Sequence, residues 1–518
     1  MGRSELVLVA MIFAVAMMFI DQTIVAIAIP ELERDLSLSA TGGQWIVNGY
    51  LLALSALFAL GGRLSDVFGH RRVVLIGVIG FAAASALCGA TPTGDIGEAW
   101  IIAFRVVQGA FAALLFPAAL AIVVAAFDVR ERGKALAIFF AISGALTSVG
   151  PIAGGYLTEW TWRAIFWINV PVAIIAILLT LRARPEDRRQ PAPIDGRGAV
   201  LVCLGMGLAV LGLQQSSVWG WGSAATWLCI VAGIVLLGVF VRVELGTEHP
   251  LIQLRIFRDR GFSTDNAVLL LMSACFVPLF FFASMYSQIA LGYDASNAGL
   301  YLLIFFGGFA GASQVGGRLL DTRGARIPVV VGCLVAAVGF CLWARQLTDL
   351  DLDAQWPYIV IAGAGIGLLL SPVSTDALNR ASETAYGEVT GITQTVRNFG
   401  SSLGLAILGT ILILRNKANI EETLGEAGAP KSVADRVAEA LSGTGGGDAG
   451  RFAEGAGEHA HLFQAVQHDF AASTQTVFYV MAAIMAVAFV VALVGMPRGL
   501  APQVQAAHDE ERARSGTA

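Results

Sequence analysis

Gly62-Arg63-Leu64-Ser65-Asp66-Val67-Phe68-Gly69-His70-Arg71-Arg72 is a charged turn, bracketed by glycine, between two long apolar runs. A shorter copy, Gly317-Arg318-Leu319-Leu320-Asp321-Thr322-Arg323-Gly324-Ala325-Arg326, follows 255 positions later. The flanking runs are about 20 residues long, enough to cross ~30 Å of hydrocarbon at 1.5 Å per residue. A basic turn repeated between membrane-length helices implies a transporter built from two similar halves.

The rest of the chain agrees. It has 518 residues, 56% hydrophobic and only 14% charged, well below the ~25% charge of a soluble domain. Fifty-nine glycines suit membrane bundles, where small residues let helices approach closely. All six cysteines fall inside apolar runs, which argues against a disulfide framework or thiolate metal site. No cleavable signal peptide is expected, because the first apolar run is long, carries an aspartate and lacks an Ala-x-Ala site.

Fourteen spans are expected, over 6–29, 43–62, 73–91, 99–127, 133–157, 163–182, 197–216, 224–243, 262–288, 298–317, 327–345, 356–379, 388–414 and 473–496. With both termini inside, 23 of the 33 Lys and Arg fall on the cytoplasmic side. The six short outer loops hold three, Arg34, Arg163 and Arg345. That asymmetry obeys the positive-inside rule, and one helix more or fewer would misplace half of those cations. The two basic turns follow the second and tenth spans. Two six-helix halves therefore require a spare pair of helices between them, and both halves share one orientation.

The expected fold is all-α and integral to the membrane, with two six-helix bundles and an inserted hairpin. Residues 1–182 form the first bundle, and 183–261 a proline-rich linker, the two inserted helices and an interfacial segment. Residues 262–496 form the second bundle, with a long, mostly flexible outer loop at 416–472. Residues 497–518 form a polar cytoplasmic tail. Within 244–261, apolar residues alternate with Arg255, Arg258 and Arg260, a pattern that suits a short helix on the interface. Val433, Val437 and Leu441 suggest one amphipathic turn in the outer loop.

Ionisable groups inside spans are costly and mark functional sites. Asp21 in span 1 is read as a proton-handling group facing a central cavity, or else as a structural hydrogen-bonding residue near the outer end. Arg105 in span 4 is a coupling residue or a structural arginine on helix-end carbonyls, and Arg397 in span 13 is its weaker analogue. Asp66, with Gly62, Arg63, Gly69, Arg71 and Arg72, is expected to form a charge cluster that closes the cytoplasmic face, with Asp321 as a counterpart. Gly150, Pro151, Gly154 and Gly155 put a bend and close-packing points into span 5. Trp160, Trp162 and Arg163 are expected to anchor at the outer interface. Asn48, Gln108, Phe276, Phe280, Tyr286 and Arg397 are candidate cavity-lining residues. Asp265, Asp376 and Glu388 read as solvated helix ends. His459-x-His461 lacks further ligands at useful spacing, so no metal site is expected.

Together these segments resemble the major facilitator superfamily, specifically its 14-helix drug:proton antiporters. The turn 62–72 is similar to that superfamily's loop 2–3 signature. Asp21-Gln22-Thr23-Ile24-Val25-Ala26-Ile27-Ala28-Ile29-Pro30 resembles the helix 1 signature of the 14-helix family. Arg105 with Gln108-Gly109 resembles the helix 4 motif linked to proton coupling, and Gly150-Pro151-Ile152-Ala153-Gly154-Gly155 the antiporter motif of helix 5. Trp162-Arg163 through Phe166, Ile168-Asn169 and Pro171 fits the start of helix 6. Leu146 stands where the helix 5 motif usually has glycine, and the second basic turn is degenerate.

The resemblance implies alternating-access efflux of amphipathic drugs and toxic compounds, driven by the proton motive force in a multi-pass protein of the cytoplasmic (inner) membrane. It implies no catalytic residues and no cofactor. The implied partners are a small amphipathic substrate, protons and membrane lipids, with no nucleic acid, and the implied state is a monomer. No Gly-x-x-x-x-Gly-Lys-Ser/Thr phosphate loop is present. A lipid, siderophore or self-made antibiotic exporter on the same fold remains an alternative. A polytopic membrane enzyme is a remote one, since the short inner loops lack a His-x-x-x-x-Asp or paired-aspartate motif.

Overall fold

The computed structural model describes residues 2–500, except 37, 39–41, 129–130, 186–194, 248–249, 253, 294, 381–385 and 427–459. Every regular element among the described residues is helical. The N-terminal helices are α1 (Arg3–Leu36), α2 (Gly42–Phe68), α3 (His70–Gly89), α4 (Gly97–Ala126), α5 (Arg132–Trp160), the single turn α6 (Ala164–Trp167) and α7 (Asn169–Ala183). Then come α8 (Gly196–Trp219) and α9 (Ala224–Glu244). The C-terminal set is α10 (Arg260–Ile289), α11 (Ala295–Arg323), α12 (Arg326–Gln346), α13 (Leu352–Asn379), α14 (Tyr386–Glu426) and α15 (Ala460–Gly495).

Thirteen of these segments are long and apolar enough to cross a membrane. The remaining expected span, 133–157, lies within the 29 residues of α5. Large apolar side chains face outward, among them Leu228 and Val235 on α9 and Val494 on α15. The interior holds the packed apolar core, so the bundle is apolar inside and out, as a bilayer solvent requires.

The basic turn is explained by its glycines. Gly69 alone separates α2 from α3, with φ 98°, and Gly324 sits between α11 and α12 with φ 83°. Both are left-handed values that a residue with a Cβ adopts only at a cost. The two halves also share one close approach. A Cβ on Gly109 of α4 would meet the Tyr50 carbonyl of α2, and one on Gly363 of α13 would meet the Phe305 carbonyl of α11. The hairpin helix α8 packs on both α2 and α14, so it spans the seam between the halves.

One expectation changes and one lies outside the described residues. The segment 416–472 is not wholly a flexible loop, because α14 continues to Glu426 and α15 begins at Ala460. The expected turn near Val433, Val437 and Leu441 lies outside the described residues. Among the described residues of 244–261 lies a 3-10 turn, Leu254–Arg258, while Leu251 and Ile252 are buried in the core. The short helix expected in this segment is thus a single 3-10 turn with no buried residue.

Candidate functional site

Asp21 lies on α1 and Arg105 on α4, and neither is accessible to solvent. An Arg105 Nη donates to Asp21 Oδ2 at 2.6 Å. The same nitrogen donates to Gln108 Oε1 at 2.8 Å, and Gln108 Nε2 donates to Asp21 Oδ1 at 3.0 Å. Arg105 Nε donates to the Ile46 carbonyl at 2.9 Å, and the guanidinium lies 4.4 Å from the Tyr50 ring centroid. Arg105 and Gln108 reach one carboxylate because residues three apart share a helix face. The next residue, Gly109, lets Tyr50 come close enough to stack on the guanidinium. A buried ion pair is held together only when its remaining polar atoms are satisfied, and this triad satisfies both carboxylate oxygens. Gln108, expected at a cavity wall, is instead the third member of the pair.

A second constellation lies at the basic-turn end. Asp66 is buried and accepts the Glu388 backbone N–H at 2.6 Å. Glu388 is in the first turn of α14, whose N–H groups have no partner within the helix. Arg63 Nη1 lies 3.7 Å from Glu388 Oε2, and His70 Nε2 lies 3.6 Å from Asp66 Oδ1. Ser65 Oγ donates to the Gly62 carbonyl and sits 3.2 Å from His70 Nδ1. The expected cluster is therefore corrected. Its members beside Asp66 are Arg63, His70 and Glu388, and no ion pair of Arg71 or Arg72 is present among the described residues. Glu388 is no solvated helix end but a buried member of the cluster.

The second turn does the mirror-image task. Asp321 Oδ1 accepts the Gly133 N–H at 3.2 Å in the first turn of α5. Gly133 and Gly317 meet at the same crossing. Ser371 Oγ donates to the Gly133 carbonyl at 3.1 Å, and Ser313 Oγ to that of Ala137 at 3.3 Å. Each half thus offers a carboxylate to a helix start of the other, where the helix dipole favours negative charge. The bundle is closed at the basic-turn end.

Asp265 and Asp376 also differ from expectation, since both are buried. Arg380 Nε donates to Asp376 Oδ2 at 2.8 Å and lies 3.6 Å from Asp265 Oδ2, while its Nη1 donates to Asp259 at 3.0 Å. One guanidinium therefore ties the start of α10 to the end of α13. Sequence reading missed this cluster; the signal was Asp376 and Arg380 spaced i, i+4 on one helix face.

The remaining candidates are scattered. α5 runs unbroken through Gly150, Pro151, Gly154 and Gly155. A Cβ on Gly150 would strike Thr23 Oγ1 and come within 3.0 Å of the Ile20 carbonyl, so α5 packs on α1 beside Asp21. Asn48 is half-buried on α2. Phe276 and Phe280 pack in an aromatic cluster with Phe305, Phe306 and Phe309. Tyr286 lies in the core rather than at a cavity wall. Its Oη donates to the Leu347 carbonyl at 2.6 Å and accepts from Gln355 Nε2 at 2.8 Å. Trp160 is exposed, whereas Trp162 is buried and donates to Asp35 Oδ2 at 2.8 Å. Arg163 donates to the Gly89 and Thr91 carbonyls. That side of the first bundle is thus latched internally.

Comparison with known proteins places this geometry. The chain is 34% identical over 447 residues to the tetracenomycin C resistance and export protein of Streptomyces glaucescens, covering 85% of this chain and 81% of that one. It is 35% identical to the puromycin resistance protein pur8 of Streptomyces alboniger, covering 78% and 81%. It is 30% identical to the multidrug resistance protein Stp of Mycobacterium tuberculosis, covering 82% and 79%. Among solved structures, the proton:xylose symporter XylE superposes with a TM-score of 0.59 at 12% identity, covering 97% of this chain and 98% of that one. The human organic anion transporter MFSD10 gives the same score and identity, covering 95% and 100%. At 12% identity these likenesses concern the fold alone. The Major Facilitator Superfamily profile matches residues 11–405, and this multi-pass membrane chain belongs to that superfamily.

Proposed function

We propose that the protein exports amphipathic small molecules by proton antiport with alternating access. The observation that carries the proposal is the Asp21–Arg105 pair, inaccessible to solvent and completed by Gln108. A proton on Asp21 removes the charge that Arg105 neutralises and loosens the tie between α1 and α4. Leaving an arginine without its counter-charge inside a protein costs about 3–5 kcal/mol. Protonation therefore has leverage over the packing of the first bundle. One proton moving down the membrane potential supplies ~2.3 kcal/mol per 100 mV.

In this reading residues 1–182 and 262–496 rock about the seam spanned by 183–261. Asp66 and Asp321 release their helix starts when the cytoplasmic side opens, and recapture them when it closes. Gly150, against Thr23, lets α5 slide beside Asp21. Both termini lie in the cytoplasm, in the inner membrane. The chain works as a monomer without cofactor or nucleic acid, as a carrier and not an enzyme. Support comes from relatives named for multidrug resistance and for antibiotic resistance and export. Two of them are named for export of tetracenomycin C and of cephamycin, which favours export of a self-made antibiotic as a second reading.

The test uses everted vesicles energised by respiration, with ethidium as cargo and a pH-sensitive dye as proton reporter. The expected result is ethidium accumulation coupled to proton release, with both signals lost in Asp21→Asn. Undiminished proton-driven export by Asp21→Asn would remove Asp21 from the mechanism.

A further inference from the structure

Each half carries one arginine deep within a span, and their surroundings differ. Arg105 is closed by Asp21. Arg397 on α14 forms no ion pair among the described residues. One of its Nη atoms donates to Gln394 Oε1 at 3.2 Å. Its guanidinium carbon lies 5.8 Å from the Phe140 ring centroid, a weak substitute for an anion. Its Nε is buried and has no acceptor.

The position of Arg397 decides what could satisfy it. Gly391, six residues earlier on α14, packs on Phe58 and Ala59 of α2, and Phe140 belongs to α5. Gly400, three residues later, packs on Leu270 of α10. The guanidinium is thus turned toward the opposite half and away from the lipid, which leaves no headgroup to meet it. It lies nine residues past Glu388, about 13 Å along the helix from the closed end. Part of its side chain stays accessible to solvent. A guanidinium offers five N–H donors in a planar fork matched to oxyanions, and few of these are used here.

We propose that Arg397 binds an anionic group, a carboxylate, sulfonate or phenolate, carried on an otherwise apolar cargo as it passes between the halves. The proposal rests on the export reading for its transport consequence, though binding is measurable without it. Asp21 and Arg105 handle the proton in the first half, and Arg397 receives cargo charge in the second. A fixed cation there favours anionic over cationic cargo of the same shape.

The test compares fluorescein and rhodamine 123, which share a xanthene skeleton and carry opposite charge, on the purified protein in nanodiscs at pH 8. Equilibrium binding is read by fluorescence anisotropy for wild type, Arg397→Lys and Arg397→Gln, with thermal unfolding as the folding control. Fluorescein affinity is expected to fall about tenfold or more in Arg397→Gln, as for loss of a hydrogen bond to a charged group. Arg397→Lys should keep part of it, rhodamine 123 affinity should hold or rise, and added salt should weaken wild type more than Arg397→Gln. Absence of fluorescein binding to wild type, an unchanged affinity in Arg397→Gln, or a parallel loss of both dyes would each overturn the proposal. Arg397-dependent fluorescein binding without proton-driven uptake into everted vesicles would overturn the export reading and leave the binding site standing. Proton-driven export of both dyes, indifferent to Arg397, would do the reverse.

Discussion

The carboxylate of Asp66, at the end of α2, accepts the backbone N–H of Glu388 at the start of α14, 2.6 Å away and 322 residues later. The partner at Asp321 and Gly133 repeats the arrangement with the halves exchanged. A charged side chain at a helix start contributes about 0.5–2 kcal/mol. Replacing Asp66 by Ala should therefore shift the closed-to-open ratio at this end by roughly two- to thirtyfold. Spin labels at Phe68 and Thr322, both exposed at the basic turns, would report a longer distance population. Asp66→Ala with Asp321→Ala should give close to the sum of the two shifts. A double variant no more open than either single would mean that one cap alone holds the seal.

The buried triad separates stability from coupling. Asp21→Asn leaves Arg105 without a counter-charge, so thermal stability should fall by about 3–5 kcal/mol. Adding Arg105→Met removes the orphaned charge and should restore most of that loss. Proton-coupled export should stay absent in both variants. Recovery of export together with Tm would show that the pair is only structural.

Arg380 lies within ion-pair distance of two buried carboxylates, Asp265 and Asp376. Arg380→Ala should destabilise the protein more than Asp265→Asn, by about 3 kcal/mol. A thiol-reactive dye suits the measurement, because Cys88, Cys275 and Cys333 are buried and should react faster once the protein unfolds. Equal melting curves for the two variants would contradict the cluster as described.

Gly109 and Gly311 make a matched pair of substitutions. A Cβ at Gly109 would press on the Tyr50 backbone, whereas one at Gly311 meets nothing within 4 Å. Gly109→Ala should cost about 1–3 kcal/mol and disturb Arg105 through Tyr50. Gly311→Ala should stay within about 0.5 kcal/mol of wild type. Melting temperatures of the two variants provide the check.

The span pattern was legible because the bilayer imposes one length on every apolar run, and charge asymmetry sets their order. Asp21 and Arg105 stood out because ionised groups are rare inside spans. Their joining through Gln108 could not be read, since α1 and α4 meet only in the folded bundle. The partner of Asp66 stayed hidden for the same reason: it is a backbone N–H, which no side-chain pattern announces. Asp265, Asp376 and Glu388 looked solvated because span ends usually are. The protein buries them by stacking the ends of different helices on one another. Tyr286 looked like a wall residue from its aromatic neighbours, yet its hydroxyl is spoken for by Leu347 and Gln355.

α14 runs for 41 residues, about 60 Å at 1.5 Å per residue, twice the thickness of a hydrocarbon core. Near its far end Asn419 Nδ2 donates to Ser473 Oγ of α15 at 3.0 Å, so the overhang is braced rather than single. Asp66 grips the opposite end. α14 is therefore held at both ends, by Asp66 at its start and by α15 near its tip. A tilt of about 5° about the gripped end carries the tip some ~5 Å sideways over that length. If release of the Asp66 cap lets α14 tilt, a probe bound beyond the far face of the membrane would read that release as a displacement.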